Sequence, residues 1–319
     1  MMRFDAFMQH ALHDPTHGYY ARKIKTVGHR GDFSTTATLS PTLGKAIAAR
    51  AASWLKQNPG PFHLIEIGAG DGSLAEAVIK SLPLMLRLKL KYHIVETSSP
   101  LTKEQQTRLK PHRITWHTTP LDALKASSGR AFIFSNELVD AFPVRIFQQN
   151  QNQWEELHWD GSAESFTPCS NLPISSSITS SHPENHRVEI HESYHEWLEE
   201  WICAWREGEM ITIDYGDTYP EIYHRRPQGT IRAFLLHENL TGPAIYQNVG
   251  HQDLTADVNF TDLMQWGESM GLETIDYCTQ NAFLTPHARN TTQDLYLLHP
   301  DEPGSAFKVL IQSPLYTIE

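Results

Sequence analysis

The residues best suited to hold a cofactor lie in the short run EIGAGDG at positions 66–72. Glycine has no side chain, so Gly68 and Gly70 allow a bulky ligand to lie directly against the main chain. A helix predicted to begin at Ser73 adds free backbone N–H groups at the same place. A dinucleotide-binding fingerprint, G-x-G-x-x-G, needs its third glycine at position 73, where this chain has serine. The spacing therefore predicts a cofactor loop that departs from the dinucleotide pattern.

A second carboxylate, Glu96, ends the next predicted strand, 26 residues beyond Gly70. A carboxylate at this position can accept hydrogen bonds from both hydroxyls of a ribose, which indicates a nucleoside cofactor. Glu66 and Asp71 give the loop a local negative charge, which disfavours a pyrophosphate and favours a sulfonium cation that carries an α-amino group. We therefore expect S-adenosyl-L-methionine (SAM), with S-adenosylhomocysteine (SAH) as its product, in preference to NAD.

Polar side chains that suit methyl transfer follow the fourth predicted strand, in the run SNELVDAFP at 135–143. Ligands of doubly wound sheets bind at the carboxyl ends of the strands, so we expect Asn136, Glu137 and Asp140 beside the transferable methyl group. Asp214 ends the fifth predicted strand and is a further candidate, although a polar cap on a loop explains it equally well. Transfer from sulfonium to nitrogen needs in-line placement, and carboxylates can hold a guanidinium nucleophile. Which of the three carboxylates faces the nucleophile stays open.

Short apolar runs alternate with helical segments, which indicates βαβ units and a mostly parallel sheet. Ser73–Leu82 is the clearest helix, and Pro83 ends it. The predicted fold is α/β, a Rossmann-like class I methyltransferase whose seven-stranded sheet carries an N-terminal helical extension and insertions. The predicted strands are HLIEIG (63–68), YHIVET (92–97), RITWHT (113–118), AFIFSN (131–136), MITIDY (210–215), LETIDY (272–277) and FKVLIQ (307–312).

Four regions are predicted along the chain. Residues 1–60 form an N-terminal extension that ends in a helix, with Ser40 as N-cap and Pro41 at the first helical position. The other regions are the first part of the core (61–143), an insertion near the substrate (144–205), and the rest of the core with a lid-like insertion at about 218–260 (206–319).

Composition limits the classes of function. The 319 residues include 26 Lys and Arg and 37 Asp and Glu, and the net charge of −11 disfavours general binding to nucleic acid or anionic membranes, although a local basic patch stays possible. The three cysteines lie far apart without a C-x-x-C pair, so neither a disulfide framework nor a thiolate zinc site is expected. No secretion signal or membrane span is recognisable. We expect a cytoplasmic protein with no nucleic-acid partner, no membrane insertion and no metal; the oligomeric state stays open.

Two short motifs suggest other enzyme classes. HESYH at 191–195 matches the zinc motif H-E-x-x-H, but Ser193–Glu196 has the pattern of a capping box that would begin the helix at Tyr194 and leave His191 outside it. Gly267–Gly271 matches the nucleophile elbow G-x-S-x-G, but the predicted order is helix then strand, the reverse of that elbow. We therefore expect neither a zinc enzyme nor a hydrolase.

The chain resembles the MidA-type family of SAM-dependent methyltransferases almost from end to end. Mitochondrial members of this family are complex I assembly factors that methylate an arginine of a core subunit. Thr38 and Leu43 depart from the family, which usually has a glutamate and an aromatic residue at these positions. The likeness is carried by the segments PTHGYY (15–20), GDFST (31–35), EIGAGDGSLA (66–75), NELVDAFPV (136–144), IDYG (213–216), TIRAF (230–234) and DLTADVNF (253–260).

This resemblance implies both the site and the reaction. The GDFST segment would close over the cofactor. The expected function is SAM-dependent methylation of a protein arginine, in a respiratory complex I subunit. The alternatives are a SAM-binding assembly chaperone with little or no turnover and an NAD-dependent oxidoreductase. The predicted cofactor-binding residues are Asp32, Thr35, Glu66, Gly68, Ala69, Gly70, Glu96 and Asn136, and the predicted catalytic residues are Asn136, Glu137, Asp140 and Asp214.

Overall fold

The computed structural model describes residues 1–22, 40–235, 238–289, 291–300 and 303–315. Its internal packing separates two units. The first unit takes its described residues from Met1–Ile24, Val139–Leu198 and Gly216–Trp266. The second takes them from Lys25–Leu138, Glu199–Tyr215 and Gly267–Glu319.

The described residues form strands, α-helices and short 3-10 helices. The strands are β1 Met2–Arg3, β2 Phe62–Ile67, β3 Leu90–Val95, β4 Ile114–His117, β5 Phe132–Asn136, β6 Arg145–Asn150, β7 Gln153–Trp159, β8 Glu164–Pro168, β9 Arg187–Ile190, β10 Met210–Asp217, β11 Arg232–Leu235, β12 Glu238–Leu240, β13 Asp253–Thr255, β14 Val258–Asn259, β15 Leu272–Thr279 and β16 Phe307–Pro314. The α-helices are α1 Phe4–His13, α2 Tyr19–Arg22, α3 Thr42–Gln57, α4 Ser73–Ser81, α5 Leu84–Lys89, α6 Ser99–Arg108, α7 Pro120–Ala126, α8 Glu192–Glu199, α9 Phe260–Ser269, α10 Gln280–Leu284, α11 Thr292–Leu298 and α12 Pro303–Ala306. The 3-10 helices are Val139–Ala141, Ile202–Ala204, Glu221–Tyr223, Gly242–Tyr246 and Thr285–His287.

The central sheet, in the second unit, has the strand order β15-β16-β10-β5-β2-β3-β4. The five strands from β10 to β4 run parallel, and β16 is antiparallel to both of its neighbours. Every residue of β2 and β5 is buried, as expected for parallel strands that are covered on both faces. These are the seven strands predicted from the sequence, so the predicted Rossmann-like class I fold is confirmed.

Helices α3 and α4 pack closely enough that one position requires glycine. A Cβ atom on Gly44 would lie 2.6 Å from the Cβ of Ala77, a distance that real Cβ atoms do not tolerate. Leu43, Ile47 and Val78 from the same two helices join the buried hydrophobic core. The close approach of the two backbones therefore fixes how α4, which follows the glycine loop, packs beneath that loop.

The first unit is built on antiparallel sheets. One has the order β1-β7-β6-β9 with β8 paired to β7, and another has the order β12-β11-β13. Arg145 of β6 is buried and donates to both carboxylate oxygens of Glu156, at 2.7 and 3.0 Å, and to Glu192 at 2.9 Å. Loss of either partner would leave a buried charge without compensation, so this ion-pair network strongly constrains the sheet.

The starts of two helices differ from the predictions. Helix α3 begins at Thr42, one residue later than predicted, with Pro41 as its N-cap and the Pro41 carbonyl accepting the Lys45 N–H at 3.0 Å; the Ser40 hydroxyl still accepts the Thr42 N–H at 3.2 Å and donates to Asp294 at 2.7 Å. Helix α8 begins at Glu192, two residues before the predicted start. The predicted capping box is wrong, because the Ser193 hydroxyl donates to the backbone carbonyl of Pro143 at 2.7 Å and leaves the cap role unfilled.

The H-E-x-x-H run departs from the prediction, and the G-x-S-x-G run follows it. His191 is buried and directly precedes α8, and its carbonyl accepts the N–H of His195 at 3.2 Å, so the helix begins closer to His191 than predicted. Helix α9 ends at Ser269, and Gly271, with φ +83°, leads into β15, so the G-x-S-x-G run lies at the end of a helix. Within the described ranges, no helix combines the length and the apolar character needed to cross a bilayer.

Candidate active site

The predicted cofactor loop joins β2 to α4. Its glycines, Gly68, Gly70 and Gly72, have φ values of +71°, +51° and +81°, in the left-handed region that strains residues with a side chain. The Gly68 N–H donates to the carbonyl of Val95 at 3.0 Å and ties the loop to the end of β3. A Cβ atom on Gly68 would lie 2.9 Å from Cδ1 of Leu138. The backbone conformation therefore favours glycine at position 68, and any side chain there would displace the end of the Leu138 side chain.

Glu66 lies at the end of β2 and is buried beneath the loop. Burial raises the pKa of its carboxyl to about 8, and the nearby carboxylates of Asp71 and Glu96 add to this, against a hydrogen bond that the Tyr92 hydroxyl donates at 2.6 Å. Asp71 is paired with Arg108 at 2.7 Å. The loop therefore carries less negative charge at neutral pH than the sequence suggests, because Glu66 is protonated and Asp71 has a cationic partner.

Glu96 follows β3 and is held in a fixed orientation. Its carboxylate accepts the N–H of Ser98 at 2.8 Å and a bond from the Gln105 amide at 3.0 Å, and burial raises its pKa. The same Gln105 amide donates to the carbonyl of Gly70 at 2.8 Å, and its oxygen accepts the Trp116 indole N–H at 3.0 Å. Gln105 thus links the predicted ribose carboxylate to the glycine loop. The sequence analysis missed it, since a glutamine on a polar helix carries no signal of its own.

The carboxyl ends of β5 and β10 bring Asn136, Glu137 and Asp214 together. Glu137 has a φ of +52°, which is uncommon outside glycine. Its N–H donates to the carbonyl of Ile213 at 2.9 Å, and its carboxylate accepts the Asn136 amide at 2.9 Å. Strain of this kind persists only where the surroundings over-determine it, and it concentrates at functional sites.

Asp214 is fully buried within the C-terminal half of β10. One of its carboxylate oxygens accepts the N–H of Leu138 at 3.1 Å, and the other accepts the N–H of Tyr215 at 2.9 Å. Leu138 is the residue whose side chain lies against Gly68. Asp214 therefore holds the backbone of Leu138, the residue that follows Glu137. Because the Leu138 side chain lies against Gly68, Asp214 also helps to position the surroundings of the glycine loop.

Asp140 belongs to the first unit and is buried there. Its carbonyl accepts the N–H of Ala256 at 3.1 Å. Burial raises the pKa of its carboxyl to about 7, with Arg232 opposing this shift and Asp257 adding to it. Asp257 is itself paired with Arg226 and Arg232. A carboxyl with a pKa near neutrality is suited to exchange a proton.

A second buried carboxyl, Glu189, holds the segment that carries Arg232. It accepts the N–H groups of Thr230 at 2.7 Å and Ile231 at 3.2 Å, and burial raises its pKa to about 7. The Thr230 hydroxyl in turn accepts the N–H of Asp257 at 3.0 Å. Arg232 and Asp257 lie in segments that carry the family resemblance, but the residue types alone did not mark them as site residues.

Some predicted residues remain without a structural test. Asp32 and Thr35 lie outside the described residues, as does the rest of the GDFST segment. Ala69 is buried within the loop. In the part of the chain that the structure describes, no group of three or more His, Cys, Asp or Glu side chains is placed to hold a metal ion. The roles given to the predicted site residues therefore stay predictions, and the bare loop beside a fixed Glu96 fits a nucleoside.

Comparison with known proteins gives matches over most of the chain. Residues 46–278 match a family model described as "Putative S-adenosyl-L-methionine-dependent methyltransferase". The Drosophila melanogaster homologue of the mitochondrial protein arginine methyltransferase NDUFAF7 is 28% identical over 306 residues, which cover 83% of this chain and 66% of that protein. The Danio rerio protein of that name is 25% identical over 295 residues, with 81% and 66% covered. The match thus spans just under two thirds of the length of these relatives.

Two solved structures share the architecture. A Burkholderia thailandensis protein bound to S-adenosyl-homocysteine gives a TM-score of 0.81 at 25% identity, covering 98% of this chain and 87% of that chain. A native crystal structure from the same organism gives a TM-score of 0.77 at 26% identity with the same coverage. Together with the family match, these findings confirm the resemblance, the fold and the preference for SAM over NAD that the sequence predicted.

Proposed function

This chain belongs to the family of S-adenosyl-L-methionine-dependent methyltransferases, and we propose that it transfers a methyl group to the guanidinium of a protein arginine. The observation that carries the proposal is the strained backbone of Glu137, which places a carboxylate just after the end of β5. The next residue, Leu138, lies against the glycine loop. Support for arginine as the acceptor also comes from relatives at 24 to 28% identity, which are named protein arginine methyltransferases.

The cofactor site is proposed to combine the glycine loop with Glu96. The main chain at Gly68 and Gly70 would lie against the cofactor, and Glu96 would accept hydrogen bonds from its ribose hydroxyls. Asn136 would reach the cofactor from the neighbouring strand end. The bound SAM supplies an electrophilic methyl group on a sulfonium. Asp32 and Thr35 stay predicted as part of the cover over this site.

The acceptor arginine is proposed to bind through Glu137. A carboxylate that accepts two N–H bonds from a guanidinium fixes its plane and removes water, so that one nitrogen lies in line with the methyl carbon. Transfer forms an N–C bond and breaks the C–S bond, and the methylated guanidinium then loses one proton. Because arginine has a pKa above about 12, that proton leaves with or after methyl transfer. Asp140, in the first unit, stays a predicted catalytic residue, and burial raises the pKa of its carboxyl to about 7.

The acceptor protein follows from the resemblance alone. MidA-type relatives in mitochondria act on a core subunit of respiratory complex I, so we propose a complex I subunit as the first acceptor to test. A cytoplasmic location stays a prediction for this chain.

The test uses the purified full chain, SAM with a labelled methyl group and an extract of cells that lack the gene. We expect label in methylarginine after acid hydrolysis, and mass spectrometry should place it on a respiratory subunit. Glu137→Gln should lower kcat by about a hundredfold or more, because the neutral amide no longer holds the cation, while SAH affinity by calorimetry changes less than about threefold.

The matched control is Glu273→Gln, an exposed carboxylate on β15 of the same unit, which should keep full activity. Label in methyllysine, or an unchanged rate for Glu137→Gln, would refute arginine recognition by Glu137. Tight SAH binding without any protein labelling would instead identify a SAM-binding assembly factor.

A further inference from the structure

Three large apolar side chains project from the short helix α5 in the second unit. Leu84, Met85 and Leu88 are 58%, 67% and 73% exposed, and α5 contains no buried residue. Residues spaced i, i+1 and i+4 share one side of a helix. Leu86, between them in sequence, packs against the hydrophobic core and holds the helix to the protein. We refer to Leu84, Met85 and Leu88 as the α5 apolar face.

The α5 apolar face lies in a segment whose Lys and Arg residues are not balanced by any Asp or Glu. Positions 77–95 contain no Asp or Glu, although the chain as a whole carries a net charge of −11. Arg87, Lys89 and Lys91 are exposed, and none of them lies within ion-pair distance of a carboxylate in the ranges that the structure describes. Lys80, one turn before this helix, is paired with Glu76 at 2.5 Å.

Exposed apolar side chains ringed by cations match the requirements of an anionic bilayer. A patch of this kind marks an interaction surface, because water alone does not favour it. A protein partner would need a groove shaped to receive the three side chains, whereas lipid accepts a protruding apolar face without a complementary pocket. The unpaired cations beside the face add attraction to anionic headgroups.

We propose that the α5 apolar face is a peripheral docking site for an anionic lipid bilayer. Leu84, Met85 and Leu88 enter the boundary between headgroups and acyl chains, and Arg87 and Lys89 pair with lipid phosphates. A helix of six residues is about 9 Å long, so α5 lies in the plane of the interface and does not span the bilayer. This attachment is independent of the reaction that the protein catalyses and would hold the enzyme near acceptors at a membrane.

The test is flotation of the purified chain with vesicles of phosphatidylcholine alone or mixed with phosphatidylglycerol. We expect binding only to the mixed vesicles, and its loss as the salt concentration rises, because the headgroup attraction is screened. The double variant Leu84→Ser/Leu88→Ser and the single variant Arg87→Glu should each weaken vesicle binding by about tenfold or more. The matched control is Leu295→Ser on α11, where a leucine is 57% exposed without a Lys or Arg nearby in sequence.

The thermal midpoint and SAH affinity of all these variants should match the wild type, which shows that a change in vesicle binding comes from the surface. Absence of wild-type binding to mixed vesicles at low salt would overturn the proposal. So would equal binding by the double variant and the Leu295→Ser control. A concentration-dependent dimer that disappears in the double variant, without vesicle binding, would show that a second copy covers the α5 apolar face instead. Capture of an acidic protein at this face, without vesicle binding, would also overturn the lipid proposal.

Discussion

Glu66→Gln should change how the stability of the protein depends on pH. Burial, with smaller contributions from Asp71 and Glu96, raises the pKa of Glu66 from an ordinary value of 4.5 to about 8 in the folded protein. Between these two values the folded state binds a proton that the unfolded state does not, so stability falls as the pH rises. An interval of about 3.5 pH units corresponds to about 5 kcal/mol. Glutamine still accepts a hydrogen bond from the Tyr92 hydroxyl and cannot ionise. The stability of the variant therefore does not fall in this way as the pH rises.

The assay is urea unfolding of the wild type and Glu66→Gln from pH 5 to pH 9. The other titrating groups are common to both proteins, so their effects cancel in the difference between the two unfolding free energies. That difference should favour the variant by about 4 kcal/mol more at pH 9 than at pH 5, because about half a pH unit of the interval lies below pH 5. Glu268→Gln, an exposed carboxylate, serves as the control and should differ from wild type by less than about 1 kcal/mol throughout. A difference for Glu66→Gln that stays constant with pH would refute the assignment of a protonated Glu66.

Three further substitutions test the framework of the site. Gly68→Val should abolish SAH binding in calorimetry, because φ is +71° and a Cβ atom meets Leu138 at 2.9 Å; retained affinity would place the cofactor elsewhere. Gln105→Leu should weaken SAH binding by about tenfold, by releasing Glu96 and the Gly70 carbonyl, and an unchanged dissociation constant would contradict this link. Glu189→Leu should lower the unfolding free energy by about 3 kcal/mol, since two buried N–H groups lose their acceptor, whereas unaltered denaturant midpoints would show that water replaces it.

The sequence predicts the central sheet well because burial on both faces leaves a strong pattern. A parallel strand that is covered by helices is mostly apolar, as the first three residues of β5 and most of β2 are. Helix starts are less predictable, since they depend on which distant group captures a hydroxyl. Ser193 has the pattern of a capping residue, yet its hydroxyl bonds Pro143, 50 positions away. A rule based on neighbouring residues cannot predict a hydrogen-bond partner so far away in the sequence.

The sequence predicts those site residues whose type the backbone conformation requires. It does not predict residues whose role depends only on their contacts in the folded chain. The glycines at 68 and 70 are visible because few other residues adopt positive φ. Gln105 is invisible, because its importance comes from contacts with Glu96 and Gly70 that only the folded chain creates. The charge on Glu66 is misjudged for the same reason: an aspartate or glutamate is read as an anion until its burial is known.

The carboxylates of Glu137, just after β5, and Asp214, in the C-terminal half of β10, have environments that suit different tasks. Both oxygens of Asp214 already accept backbone N–H groups within a fully buried site, so this side chain is committed to holding the loop. Glu137 is half-buried; its strained backbone donates an N–H to the Ile213 carbonyl, and its carboxylate accepts the Asn136 amide. Pre-organisation of this kind is useful when a flexible, charged side chain must be received in one orientation. We therefore infer that Glu137 contacts the acceptor guanidinium and that Asp214 is a positioning residue, whose effect on the reaction passes through Leu138 and the glycine loop.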